Sequence, residues 1–307
     1  MQDRQLDTTV KDLLQRCTFP EPGTTLNCAV SGGADSLALM VLAISSGCEV
    51  TAFHVDHGLR DASAEEAGIV EAAARRFGAS FVAKRVELSD GPNLEARARD
   101  ARFSVLPADV ATGHTMDDQA ETVLCNLLRG SGLDGLSAMR AGRRHPILGV
   151  RRFETVALCE AFEITWVTDP SNADPRHMRN RIRHELLPLC SEIARRDVVP
   201  ILARESYLLR DDSDLLDELC ARSIPDPTDV KAVRAAPLSL ARRAIRSWLT
   251  DDGSDIIDRH PPSLAEVTRV LEVVSGKFVG TEIAGGHRVY RKDGRLGVRR
   301  ELSGKVG

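Results

Sequence analysis

Apolar positions along this chain change period several times, and the changes divide it. Over residues 26–167, short aliphatic and β-branched runs alternate with stretches whose apolar residues recur every three or four positions. Strands buried on both faces read as continuous apolar runs, so this alternation predicts a parallel sheet covered by helices on both sides. The runs predict strands at 26–30, 50–56, 81–86, 110–114, 147–150 and 164–167. Residues 36–45 are apolar all round and read as a buried helix. Residues 63–77 carry Ile69, Val70, Ala73, Ala74 and Phe77 at helical spacing and end before Gly78, which suits a C-cap. Another helix begins at Asn93, with Leu94, Ala98, Ala101 and Val105 on one face. In 117–129, Ala120, Val123, Leu124, Leu127 and Leu128 follow i, i+3, i+4, i+7, i+8, a helix with one buried stripe.

Beyond Pro188 the pattern changes. Residues 191–249 show no strand period; Ile201, Leu202, Leu208, Leu209, Leu215, Leu216 and Leu219 predict long helices, broken at Pro225-Asp226-Pro227. Residues 263–298 read as one helix followed by short strands at 278–283, 288–291 and 296–299, punctuated by Gly285-Gly286 and Asp293-Gly294. The expected class is α/β: a doubly wound, mostly parallel, Rossmann-like sheet over 1–190, a helical linker over 191–236 and a small α+β domain over 237–307.

Composition narrows the class. At 42% hydrophobic and 28% charged, the 307 residues are those of a globular protein with enough chain for two domains. No apolar run is long enough to span a bilayer and the first residues are polar, so the expectation is a cytoplasmic protein with no membrane partner. Seven scattered cysteines with no C-x-x-C pair argue against a disulfide framework, a zinc site or thioredoxin-like chemistry. A net charge of −4 predicts no general affinity for polyanions. The arginines are clustered, however: Arg140, Arg143, Arg144, Arg151 and Arg152 form one group and Arg176, Arg179, Arg181 and Arg183 another, with His145, His177 and His184 interleaved. One such run reads as solvated loop charge; two in one polar region fit a phosphate-backbone contact surface equally well.

The chemistry gathers where the strands end. Ser31-Gly32-Gly33-Ala34-Asp35-Ser36 joins the first strand to the apolar helix. Paired glycines let the backbone turn tightly with N–H groups outward, and the helix adds the positive end of its dipole, which together favour an anion. A carboxylate at Asp35 would repel phosphate unless a divalent cation bridged the two, which makes Asp35 a candidate Mg²⁺ ligand. The alternative is an ordinary turn with Ser and Asp as caps. After the second predicted strand comes His54-Val55-Asp56-His57, and after the fourth come Thr112-Gly113-His114 and Asp117-Asp118-Gln119-Ala120-Glu121. In doubly wound sheets, ligands bind outside the carboxyl ends of strands. Any one of these histidines reads as structural; the set, converging on the edge that carries the Gly-Gly turn, favours an active site. Asp118 and Glu121 share a polar face near a helix N-terminus, which suits the dipole and could also hold an ammonium group or a metal.

Four separated motifs resemble one family. The Ser-Gly-Gly-x-Asp-Ser turn resembles the pyrophosphate loop of the N-type ATP pyrophosphatases, without the Gly-Lys-Ser/Thr ending of a Walker A sequence. Residues 54–60, 93–102, 112–122 with 130–136, and Asp169-Pro170-Ser171-Asn172 followed by Arg179-Asn180-Arg181-Ile182-Arg183 are similar to the tRNA(Ile)-lysidine synthases. Residues 284–291 resemble that family's first C-terminal domain. The resemblance implies ATP-dependent modification of the wobble cytidine in an isoleucine tRNA with a CAU anticodon. The base is adenylated at its C2 oxygen, and the ε-amine of free L-lysine then displaces AMP. It implies that Ser31, Gly32, Gly33, Ala34, Asp35, Ser36, His54 and Asp56 hold ATP, with Asp35 on Mg²⁺. Asp118 and Glu121 would grip the lysine, a nearby carboxylate or His114 would take its proton, and Arg97, Arg102, Arg143, Arg144, Arg179, Arg181 and Arg183 would position the tRNA.

Departures from the family pattern are visible. His145-Pro146-Ile147-Leu148 stands where many relatives have Arg-Pro-Leu-Leu, and up to Gly307 no second C-terminal domain of the kind longer relatives use on the acceptor stem is expected, so recognition is expected to lean on the anticodon region and the first C-terminal domain. Whether the protein is a homodimer is left open. Among rivals, a sulfur-inserting tRNA thiolase is expected to carry paired cysteines, a GMP-synthetase-like amidotransferase a glutaminase domain, and a nucleotide-binding regulator no retained carboxylates at Asp35, Asp118 and Glu121.

Overall fold

The computed structural model describes residues 2–56, 63–86, 94–168, 174–251 and 262–300. The expected motif positions 57–60, Asn93 and 169–172 lie outside them. The chain divides into two compact units, Met1–Arg210 and Asp211–Gly307.

The first unit opens with helix α1 (Gln2–Leu14), strand β1 (Thr25–Ala29), α2 (Ala34–Ser45), β2 (Glu49–Asp56), α3 (Ser63–Phe77), β3 (Ser80–Arg85), α4 (Leu94–Val105) and β4 (Ala111–Thr112). All four strands are parallel, in the order β3-β2-β1-β4. Leu26 pairs with Val50 and Ala29 with Phe53 on one side of β1, and Cys28 with Ala111 on the other. Because β1 has β2 on one side and β4 on the other, the chain reverses its direction of winding there, and a crevice opens beyond the carboxyl ends of those two strands. Helix α2 packs on β1, β2 and α7 (Arg152–Ala161), with Leu37 through Ala43 all buried, which explains why its sequence lacks a polar face.

The sheet is smaller than the sequence predicts. Residues 147–150 and 164–167 are not strands. Ile147, Leu148 and Val150 are fully buried, yet the N–H groups of Leu148 and Val150 make local turn bonds, to the His145 and Ile147 carbonyls, and the Val150 carbonyl accepts from Met116 N–H at 2.8 Å, next to the start of the following helix. Ile147 and Val150 are apolar because they fill the core beside β1 and α2, which the strand period cannot distinguish from pairing. Gly149 is required there, because a Cβ would lie 2.3 Å from the Arg16 carbonyl oxygen. In 164–167, only Val167 N–H reaches across, to the Gly32 carbonyl.

Helix α5 (Met116–Leu128) and the short α6 (Leu133–Leu136) follow β4. After α7 comes a continuous helical run: α8 (Met178–Arg181), a π-turn over Ile182–Leu186 and α9 (Leu187–Ala194). Ile182 and Leu187 bury against Ala120, Leu124 and Cys125 of α5, so this run is pinned to the helix that carries the acidic pair. Helix α10 (Val199–Ser223) crosses the division between the units.

The second unit holds α11 (Val230–Ala235), α12 (Leu238–Asp251), α13 (Leu264–Ser275) and an antiparallel sheet of β5 (Gly280–Ile283), β6 (His287–Lys292) and β7 (Arg295–Arg300). Its core joins Ile245, Leu249, Val270 and Val273 to Val289 and Leu296. No helix among the described residues is long and apolar enough to cross a membrane.

Candidate active site

Two backbone elements meet in the crevice. The first is the loop after β1. Gly32 takes a left-handed φ of 91°, which suits glycine. Gly33 caps α2 without a side-chain hydrogen bond. Ser36 Oγ donates to the Gly33 carbonyl at 2.8 Å and accepts from Ser31 N–H at 3.1 Å, closing the loop on itself. The N–H groups of Gly32, Gly33 and Ala34 make no backbone hydrogen bond among the described residues, so the helix N-terminus presents unsatisfied donors, the requirement of a phosphate cradle. The second element is the loop after β4. A Cβ on Gly113 would lie 2.7 Å from the Asp35 carbonyl oxygen, so only glycine lets these two loops touch.

The carboxylates are held by a local device. Thr115 caps α5: its Oγ1 accepts from Asp118 N–H, while Asp118 Oδ2 accepts from Thr115 N–H at 2.8 Å and Oγ1 at 2.9 Å. One oxygen of Asp118 is thereby locked, and Oδ1 is turned with Glu121 toward the same arginines. Glu121 is fully buried.

Arg152 stands at the centre of the site. Its guanidinium reaches Asp35 at 3.3 Å, Asp118 at 2.8 Å and Glu121 at 2.9 Å. Arg179 adds contacts to Glu121 at 2.8 Å and Asp118 at 3.1 Å, and Arg183 to Glu121 at 2.7 Å and Asp118 at 3.5 Å. Three guanidiniums thus face three carboxylates, and the formal charges cancel. Asp117 fixes the approach, accepting from Arg152 N–H at 2.8 Å and pairing with the Arg151 side chain at 3.1 Å. Along α7, Arg152, Thr155 and Cys159 form one face: Thr155 Oγ1 donates to Asp35, and Cys159 Sγ approaches the Ala34 carbonyl at 3.5 Å.

Burial and charge act oppositely on the two aspartates. Burial pushes the Asp35 carboxyl above its usual range, although the Thr155 hydroxyl and Arg152 pull it down. Burial also opposes ionisation of Asp118, but Arg152, Arg179, His114 and the Thr115 N–H prevail and bring it to about 2. Arg152 is held charged: burial disfavours its cation, and Asp118, Glu121 and Asp35 more than offset this.

His54 is buried on β2. Its Nδ1 lies 2.9 Å from the Val30 carbonyl, which can only accept, so Nδ1 carries the proton and Nε2 a lone pair. Nε2 is buried without a partner, as fits a group awaiting a donor from a ligand. Asp56 ends β2, half-buried.

The expected RNA-contacting arginines fall into different places. Arg179 and Arg183 are turned onto the acidic pair. Arg181 is exposed on Glu185 at 2.9 Å. Arg143 braces the Thr25 carbonyl at 2.7 Å and Asp109 at 3.2 Å; Arg144 is exposed, its carbonyl accepting from Thr112 N–H at 2.9 Å. Arg97 and Arg102 lie half-buried on α4. Arg152, the residue that joins the two halves of the site, is absent from the expected set because Arg151-Arg152 reads as part of a loop charge cluster. The i, i+3, i+7 spacing of Arg152, Thr155 and Cys159 is the signal that would have found it.

Comparison with known proteins agrees with this geometry. The model of the PP-loop domain matches residues 3–190. The chain is 37% identical to the tRNA(Ile)-lysidine synthase of Nocardia farcinica, covering 92% of this chain and 94% of that one. It is 41% identical to that of Rhodococcus erythropolis over 76% of both chains, and 37% identical to that of Mycobacterium leprae over 87% and 88%. Among solved structures, the U34-tRNA thiolase NcsA from Methanococcus maripaludis superposes with a TM-score of 0.51 at 16% identity, over 66% of this chain and 80% of that one, a likeness of fold. With its open phosphate loop joined to an acidic pair, the chain belongs to the PP-loop family and, within it, to the tRNA(Ile)-lysidine synthases.

Proposed function

We propose that this protein joins L-lysine to C2 of the wobble cytidine of an isoleucine tRNA with a CAU anticodon, converting ATP to AMP and pyrophosphate. The observation that carries the reading is Arg152: one guanidinium touches Asp35 beside the phosphate loop and both Asp118 and Glu121, so an activated phosphate end and an amine end share one crevice. The amides of the loop 31–34 and the Ser36 hydroxyl bind the phosphates, and His54 Nε2 accepts from a donor on the adenosine. Asp35, beside the loop with its carboxylate turned toward Thr155 and Arg152, would hold a Mg²⁺, which would supply positive charge to offset that on the leaving pyrophosphate.

The cytidine C2 oxygen attacks the α-phosphorus and pyrophosphate leaves. The lysine ammonium, placed against Asp118 and Glu121, then loses a proton and displaces AMP from C2. To admit that cation, Arg152, Arg179 or Arg183 must yield one of its contacts, and an arginine so released is placed to hold a phosphate oxygen. Arg97, Arg102, Arg143, Arg144 and Arg181 contact the RNA backbone. Residues 1–190 carry the chemistry, 191–236 link, and 237–307 contact the tRNA; the protein works in the cytoplasm. The sequence holds no C-x-x-C pair of the kind expected of a sulfur-inserting relative.

Incubation of the protein with ATP, radiolabelled lysine and a CAU-anticodon tRNA should label the RNA, and Asp35→Ala should reduce pyrophosphate release by about 10²-fold or more. Pyrophosphate release without lysine incorporation overturns the ligation while leaving the adenylation.

A further inference from the structure

Beside Asp118 lies a second polar cluster that the reaction as described leaves unassigned. Thr112 at the end of β4, His114 two residues on, and His145 in the turn 142–145 converge on one oxygen. Thr112 Oγ1 lies 2.6 Å from His114 Nδ1, 2.9 Å from His145 Nδ1 and 3.2 Å from the Arg144 carbonyl. The two Nδ1 atoms are 3.3 Å apart, and the rings meet edge to face with centroids 4.9 Å apart. The turn is fixed to the strand, since Thr112 N–H donates to the Arg144 carbonyl at 2.9 Å and Gly142 bridges to His145. The cluster is therefore built by backbone pairing.

Its hydrogens can be counted. Thr112 has one hydroxyl proton, and the turn offers two acceptors for it, the Arg144 carbonyl and a lone pair on His145 Nδ1. With the hydroxyl donating to the turn, Oγ1 faces His114 as an acceptor at the shortest distance of the three, and His114 Nδ1 must be the donor. That tautomer leaves the lone pair of His114 on Nε2. Resting on the ligation reading above, we propose that Thr112 and His145 are positioning residues that hold His114 as the general base for the lysine amine. The charged groups around it are Asp118 of α5, which feels the His114 charge, and Arg152 of α7 and Arg179 of α8, which share Asp118 Oδ1.

The step balances. The ε-ammonium gives one proton to His114 Nε2, and the resulting imidazolium keeps its Nδ1–H bond to Thr112. The amine nitrogen bonds to C2, the C2–O bond breaks with its electron pair leaving on the AMP phosphate, and the adduct nitrogen loses a second proton to solvent. His145 makes no contact with substrate. Its effect on His114 is to keep the Thr112 hydroxyl turned away and, once His114 is charged, to offer the relay a neutral acceptor that stabilises the cation.

The test separates the steps. Enzyme, ATP and tRNA are mixed to accumulate adenylated RNA, lysine is then added, and single-turnover transfer is followed from pH 5 to 9 alongside pyrophosphate release. His145→Ala and Thr112→Val should each slow transfer by about 10²-fold, more than they slow pyrophosphate release. The acid limb of the transfer profile should move to lower pH by about one unit, because His114 loses the acceptor that stabilised its cation. His145→Asn, which keeps an acceptor at the turn, should recover part of the rate. An unmoved acid limb, or equal slowing of both steps in both variants, overturns the proposal, and thermal unfolding of each variant identifies any loss due to misfolding. If the wild type releases pyrophosphate but transfers no lysine, the ligation reading itself fails, a result distinct from intact transfer with indifferent variants.

Discussion

Glu121→Gln tests the charge balance at the centre of the molecule. The glutamate is fully buried and touches Arg152 at 2.9 Å, Arg179 at 2.8 Å and Arg183 at 2.7 Å. The amide keeps the shape and removes one negative charge, leaving three guanidiniums to two carboxylates. Breaking a buried pair costs about 3–5 kcal/mol. The arginine side chains are 25%, 40% and 22% exposed, so water shares the excess charge and the lower end, about 3 kcal/mol, applies. For a unit of this size that is a fall in Tm of about 6–12 °C. Arg152→Met unbalances the site in the opposite sense, two cations to three anions, and should cost about as much. The double variant restores two to two. It should therefore be no less stable than the worse single variant, a coupling of about 3 kcal/mol. Calorimetry of the four proteins at one salt concentration measures this cycle. Additive losses, or a Glu121→Gln protein whose Tm is unchanged, would refute the view that charge balance rather than shape holds the site together.

Two further outcomes follow from the same geometry. Asp118, held near 2 against an ordinary value of about 3.9, has its native pKa depressed, so its contribution of about 2 kcal/mol is complete above pH 4 and is lost as pH falls toward 2. Asp35 has the opposite sign, since its raised carboxyl stabilises the fold below the ordinary aspartate range and less so as pH rises. Urea titrations from pH 2 to 5 should show a shallower acid loss for Asp118→Asn than for the wild type; parallel curves would contradict the assignment. Gly113→Ala should cost about 1–3 kcal/mol and weaken ATP binding, because the new Cβ meets the Asp35 carbonyl oxygen at 2.7 Å and backbone cannot swing aside. Gly132→Ala, with nothing within 4 Å, is the control, and equal ATP affinity in both by calorimetry would count against the close approach.

The parallel sheet was legible where strand period and loop chemistry coincide: β1, β2 and β3 lie within a residue or two of their expected places, as do α2, α3 and α5. The misplaced strand at 147–150 has a plain cause, since a buried turn packed beside a sheet needs the same residue types as a strand in it, whereas over 164–167 only Ile164 is buried. The motif residues were legible as a group because glycine, histidine and aspartate at strand ends have few structural uses. Their partners were not. Whether an arginine on a polar segment faces solvent or a buried carboxylate depends on where the chain folds back. Arg179 and Arg181, two residues apart, end up on Glu121 and on the exposed Glu185 respectively.

The π-turn at Ile182–Leu186 sets the phase of that fold-back. It joins the segment bearing Arg179 to α9, whose Leu187 is seated against α5. An α-helix advances about 100° per residue, and a π-turn absorbs one residue more than an α-turn. With Leu187 fixed, winding these same residues as a regular α-helix would rotate everything before them by about 100°, carrying Arg179 off Glu121. The turn therefore acts as a gear between two surfaces of one helix, matching the apolar contacts of its second half to the ionic contacts of its first.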